Sequence, residues 1–306
     1  MQRNLKDYIV ILFKGLAMGA ADAVPGVSGG TIAFISGIYE ELIQTISNIN
    51  LRLFKTLFLG DIKTFWKDLN GNFLMSLLTG ILLSFVSFMR LAKYLLENHP
   101  ILIWSFFFGL IVASIYFVAK QITKWRISVV VGLIVGAVVA YYVTSLPSLA
   151  ESDNSLFLFF AGAIAICAMI LPGISGSFIL IILGAYKTLS DAIATFDFKR
   201  IAIFALGAVV GLLSFSHFLK WLFKNYHNMT LAVLTGFIFG SLNKVWPWKE
   251  TLSWYTDSKG IEQPLLQESV SPFLYSGDSQ IIFALVLMVF GFLTIFILEK
   301  LGTKKP

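Results

Sequence analysis

With 306 residues, 57% of them hydrophobic and only 13% charged, the chain departs from soluble globular composition, which lies near about 45–50% apolar and about 25% charged. A mean hydropathy of +0.82 and several apolar runs of about 20 residues make it a polytopic membrane protein. The net charge of +6 is spread over loops, where it serves topology and lipid-surface contact and not nucleic-acid binding, and the single cysteine, Cys167, excludes an intrachain disulfide.

Residues 8–23 resemble a signal peptide with Ala21-Asp22-Ala23 as its cleavage site. Lys14 interrupts that apolar stretch and a similar segment recurs mid-chain, so the reading is rejected. Instead the apolar region 8–50 is broken by Pro25-Gly26, with halves of roughly 15–18 residues, too short for full spans. The spacing predicts a re-entrant helical hairpin that enters and leaves on one side, with a full crossing as the alternative that loop charge alone does not exclude. Loop 51–72 is basic and amphipathic and is expected on the cytoplasmic surface. Full spans follow at about 73–95, 100–119 and 127–146.

Region 156–195 repeats the first hairpin. Residues 169–193 match residues 22–46 at ten of twenty-five positions, with Pro25, Gly26, Ser28 and Gly29 opposite Pro172, Gly173, Ser175 and Gly176. Three more spans are read at about 201–221, 229–245 and 280–298. The correspondence continues at an offset of 127, where Gly80, Lys93, Asn98 and Gly109 match Gly207, Lys220, Asn225 and Gly236. Two repeats result, 1–146 and 147–306, each one hairpin plus three spans. An odd number of spans inverts the second repeat relative to the first. The expected fold is therefore an all-α polytopic membrane protein with an inverted repeat, an architecture of transporters.

Loop charge orients the chain. Arg52, Lys55, Lys63 and Lys67 in loop 51–72, and Lys120, Lys124 and Arg126 in loop 120–126, fall inside, as do both termini. The net acidic loop 246–279 falls outside; Lys199-Arg200 is the exception to positive-inside bias. Trp246-Pro247-Trp248, with Trp254 and Tyr255, reads as an interfacial aromatic belt.

A Pro-Gly-x-Ser-Gly break at membrane depth is costly unless it lines a cavity. The first turn after it exposes unpaired N–H groups at a positive dipole end, which suits a phosphate. Ser28, Gly29, Gly30 and Thr31 supply that turn in one copy, and Ser175, Gly176 and Ser177 in the other. The competing reading is close helix packing by small residues. Asp22 lies three residues before Pro25 and reads either as a proton or cation coupling site or as a cap or partner of Lys14. Arg90 aligns with His217, one toward each side, and the two could receive a phosphate headgroup there; snorkelling is the alternative. Glu41 is a second coupling candidate, paired with a basic group when closed, while Glu40 belongs at the water interface. The sequence has no HExxH, P-loop or Cys/His cluster, so neither an enzyme nor a cofactor or metal is expected.

MGAADAVPGVSGGTIAFISGIYEELI, LPGISGSFILIILGAYKTL and GSLNKVWPW resemble PopT, the bacterial polyprenyl-phosphate translocases, over nearly the whole chain. The resemblance implies a plasma-membrane protein that returns undecaprenyl phosphate from the outer to the cytoplasmic leaflet, recycling the carrier lipid for peptidoglycan and other surface polymers. It carries onto Asp22 to Thr31 and Leu171 to Ser177. A secondary carrier of a small soluble anion would use the same hairpins and stands as the alternative.

Overall fold

The computed structural model describes residues 3–22, 28–146, 154–256 and 262–302. Pro25 and Gly26 therefore lie outside the described residues, as do the side chains of Arg90 and Lys93.

Helix α1 (Leu5–Asp22) leads to α2 (Gly29–Ile35) and α3 (Tyr39–Ser47). The second half of the first predicted hairpin is thus broken again, and Gly37 explains why. Its φ of +73° favours glycine. The Ile38 N–H donates to the Ala33 carbonyl and the Gly37 N–H to Phe34, the paired bonds of a glycine helix stop. Loop 51–72 folds into α4 (Leu51–Phe58) and α5 (Ile62–Asp68), capped by Asn50 and Asp61. Phe58, Leu59 and Ile62 are exposed beside the basic residues of this loop. Next come α6 (Gly71–Asn98), α7 (Pro100–Ala119) and α8 (Ile127–Ser145).

The later chain follows the same order. Helices α9 (Ser155–Ile170), α10 (Gly176–Ile182) and α11 (Tyr186–Ala194) precede α12 (Phe198–Gly240) and the short α13 (Leu242–Val245). Helices α10 and α11 meet at 107°. Gly184, φ +69°, stops α10 with the same bond pattern as Gly37, from Gly184 N–H to Ile181 and Ala185 N–H to Leu180. The spans expected at 201–221 and 229–245 fall on the two helical segments of α12, which meet at a break where Tyr226 is non-helical (φ −135°, ψ 43°). His99, which separates α6 from α7, has nearly the same conformation (φ −138°, ψ 51°) and lies 127 residues earlier.

By length and apolar composition, α7, α8 and the Phe198–Val245 stretch can each cross a membrane. Helices α6 and α14 (Ile281–Gly302) overlap the spans expected at 73–95 and 280–298. Glycines set the packing. A Cβ at Gly15 would overlap the Leu77 carbonyl, and one at Gly162 the Phe204 carbonyl, so α1 lies close on α6 and α9 on α12. Gly109 on α7 meets Met288 of α14, and Gly236 on α12 meets Leu133 of α8. Helix α14 thus packs on α7, and α8 on α12.

One expectation fails. The chain is not all-α: β1 (Lys249–Thr256) and β2 (Glu262–Ser269) pair antiparallel, Lys249 opposite Ser269. The aromatic corner before them anchors this hairpin. Trp248 is buried, and its indole N–H donates to the Ser279 carbonyl at 2.8 Å; that of Trp246 donates to Val270 at 2.8 Å. Burying an indole requires such a partner.

Candidate functional site

Ser28 and Thr31, at the start of α2, meet the second Pro-Gly-x-Ser-Gly region inside the protein. The Gly173 N–H donates to Thr31 Oγ1 at 2.9 Å, and Ser28 Oγ reaches the Met169 carbonyl at 3.4 Å. Ser28 and Thr31 are buried. A Cβ at Gly30 would come within 2.7 Å of the Ile170 carbonyl, so only glycine allows this approach. Gly173 has φ +86° and lies against Phe237 and Ser241 of α12. Pro172 and Gly176 are buried beside it.

The tips differ in electrostatics. In the first, Asp22 Oδ1 accepts from the Gly29 N–H at 2.7 Å, while Ser28 Oγ accepts from Gly30 at 3.2 Å. A carboxylate therefore already occupies the start of α2, which restricts an anion there. In the second, Met169 stands where Asp22 would. Ser175 makes no cap bond; its hydroxyl is 2.8 Å from that of Ser177, which is exposed. The expected Lys14–Asp22 pair does not form. Eight residues apart on one helix, the two are separated by about 12 Å of rise, and Lys14 Nζ instead donates to the Ser36 carbonyl at 2.7 Å, at the far end of α2.

Other candidates lie elsewhere. Glu41 accepts both guanidinium nitrogens of Arg3, at 2.5 and 2.6 Å, and also Asn70 Nδ2 at 2.9 Å. The Glu41 contact, foremost its hydrogen bonds, holds the Arg3 guanidinium above its ordinary range against the cost of burial. This pair edges a cavity of about 520 Å³ that also takes in Gln44, Lys67 and Asn70. Glu40 pairs with His227 Nε2 at 3.0 Å. His217 is exposed on α12, and its Nδ1 lies 2.7 Å from the Leu213 carbonyl of its own helix, so the structure does not bring it to the tips. Arg90 lies on α6.

Lys244 and Lys249 escaped the sequence reading of the site. Lys244 Nζ is 4.2 Å from the Phe178 ring centre, one residue past Ser177, and Lys249 Nζ is 4.0 Å from that of Trp104. Lys249 Nζ also donates to the Lys244 carbonyl at 2.5 Å. The available signal was two lysines inside an aromatic stretch, at the start of a net acidic loop.

Burial, and then the neighbouring Lys244 charge, pull the Lys249 ammonium down to about 7, although the indole face and the carbonyl favour it. An unfolded lysine titrates near about 10.4. Between these values the unfolded chain binds more protons, so stability rises as pH climbs through that window. Thermal unfolding in detergent is expected to show this rise, and Lys249→Met to flatten it.

The long apolar helices and the paired breaks meeting among them define a helical protein suited to a bilayer. The chain belongs to the VCA0040-like, undecaprenyl phosphate translocase-like family, whose profile matches residues 18–263. It is 48% identical to the polyprenyl-phosphate transporter of Vibrio cholerae serotype O1, over 99% of this chain and 100% of that protein. It is 34% identical to the polyprenyl-phosphate transporter of Staphylococcus aureus, over 77% of this chain and 85% of that one. No solved structure matches it. The family resemblance carried by the two motifs is borne out.

Proposed function

We propose that this chain translocates undecaprenyl phosphate from the outer to the cytoplasmic leaflet of the bacterial plasma membrane, recycling the carrier for cell-wall polymers. The observation that carries this reading is the junction of the two broken helices, Thr31 to Gly173 and Ser28 to Met169. Broken helices that meet within a bundle are where transporters place their substrate sites. The names of the relatives support the lipid class.

The physical problem is the headgroup. A phosphate monoester carries about −1.5 to −2 charges near neutral pH, so bare passage through hydrocarbon is prohibitive. The prenyl tail stays in lipid while the phosphate passes the tips, held by Ser175, Gly176 and Ser177 and, once Asp22 withdraws, by Ser28 to Thr31. Arg90 and His217 receive it toward the two sides. Both regions around the tips act as re-entrant hairpins in two inverted repeats. The shared geometry of His99 and Tyr226, the matched stops at Gly37 and Gly184 and the reciprocal packing of α7 on α14 and α12 on α8 support that reading. Rocking of the repeats alternates access, with Arg3–Glu41 closing the cytoplasmic side and Asp22 and Glu41 coupling a proton or cation.

The test is leaflet accessibility of undecaprenyl phosphate in proteoliposomes, with and without a pH gradient. Wild type is expected to deplete the outer leaflet of carrier, and Arg90→Ala to impair this by about tenfold or more. No movement above protein-free vesicles, with folded protein, would shift the reading to a carrier of small soluble anions.

A further inference from the structure

Lys244 ends α13 and Lys249 begins β1, so the Trp246-Pro247-Trp248 corner folds one lysine back onto the other. Both side chains are partly buried. Among the described residues no carboxylate bonds either of them, and the charge that acts on Lys249 is another cation, Lys244. The acid next in sequence is engaged elsewhere: Glu250 Oε1 accepts from the Ser276 N–H at 3.0 Å. Two lysine amines drawn partly out of water, with only aromatic faces and a carbonyl to meet them, repel each other when both are protonated, which is why Lys249 gives up its proton readily. Such a pair costs stability unless an anion joins it.

We propose that Lys244 and Lys249 form a binding site for a phosphate monoester beside the second hairpin, with the rings of Phe178 and Trp104 as its walls. A phosphate monoester, with its near-double charge, matches two ammonium groups. The apolar walls distinguish a prenylated phosphate from a free one, because the first carbons of the chain pack on the rings while inorganic phosphate leaves them bare. Phe178 follows Ser177 directly, so the headgroup held by the lysines lies at the entrance to the second tip. The hydrogen-bonded Trp246 and Trp248 fix the corner and keep both lysines in place. This site is the outer capture point of the transport reading above, and it rests on that reading only for the direction in which the lipid then moves.

The experiment is ligand protection of lysines in the purified full-length protein. Acylation by acetic anhydride is followed residue by residue with mass spectrometry, in the presence of farnesyl phosphate, farnesol or inorganic phosphate. Farnesyl phosphate is expected to slow acylation of Lys244 and Lys249 by about tenfold and to leave exposed Lys120 unchanged. Equal protection by farnesol would overturn the proposal, since the charge would then be irrelevant. Equal protection by inorganic phosphate would overturn the lipid assignment. Absence of protection by any of them would overturn the site. A Lys244→Gln, Lys249→Met double variant that folds should bind farnesyl phosphate about tenfold more weakly or worse, whereas Lys120→Gln should bind as wild type. Wild-type translocation in vesicles separates the two ideas. Protected lysines in a protein that moves no lipid would leave the site standing and remove the transport reading. Unprotected lysines in a protein that does move lipid would do the reverse.

Discussion

Gly109→Ala should leave little correctly packed protein. A Cβ at Gly109 would overlap the Met288 carbonyl of α14 and press on the backbone around it. Backbone cannot swing aside as a flexible side chain can, so relief requires the whole helix to move. Overpacking of a core typically costs about 1–3 kcal/mol, and this site belongs at or above the top of that range. The loss should appear as a lower thermal midpoint in detergent and as aggregate on size exclusion. Gly37→Ala is the matched comparison. Its Cβ would meet nothing within 4 Å, and only its left-handed φ of +73° resists the change, a cost of about 1–2 kcal/mol. A Gly109→Ala protein as stable as Gly37→Ala would show that α7 and α14 are not in close contact.

The second large effect is expected at Asp22. Its carboxylate bonds the Gly29 N–H, so Asp22→Ala removes a helix cap as well as a charge. Loss of such a cap costs about 0.5–2 kcal/mol. Asp22→Asn separates the two roles, because the amide oxygen can still accept from Gly29. The Asn variant should therefore unfold close to wild type while losing lipid transport by about tenfold or more. Wild-type transport by the Asn variant would reduce Asp22 to a cap. The repeat makes this comparison sharper, since Met169 occupies the equivalent place in the second tip and can supply neither function.

Much of the helical pattern was legible because its interruptions are chemical. Pro100 follows His99 and marks the start of α7 in plain view. The same bend at Tyr226 has no proline, yet the polar residues around it mark the gap between two spans, and the backbone does leave the helical conformation there. Gly37 and Gly184 stand at the same 147-residue offset as the two Pro-Gly breaks, but the surrounding apolar run hid their role as helix stops. The β-hairpin was missed because its strands lie in a loop with mixed polarity, and its anchors, the indole N–H groups of Trp246 and Trp248, bond carbonyls more than twenty residues away.

The site was legible as two motifs but not as one place. Thr31 and Gly173 are 142 residues apart, and no local pattern announces their bond. Asp22 was legible as a cap, but not which N–H it would take, because seven residues separate it from Gly29, beyond the usual spacing of a capping side chain. A Lys14–Asp22 pair was one alternative for Asp22, yet Lys14 reaches the Ser36 carbonyl instead. Lys244 and Lys249 reach aromatic rings on α10 and α7, partners that only the folded chain brings near.

The reciprocal packing of α7 on α14 has a consequence for biosynthesis. Helix α7 leaves the ribosome long before its partner, since α14 is the last helix of the described chain. Until then the Gly109 face of α7, with Phe106 and Phe117 that later meet Phe290 and Phe296, has only lipid or a chaperone to cover it. A premature stop anywhere before Ile281 would thus leave α7 uncovered as surely as it removes α14, and quality control in the cell would meet an intact upstream sequence with its seam still open.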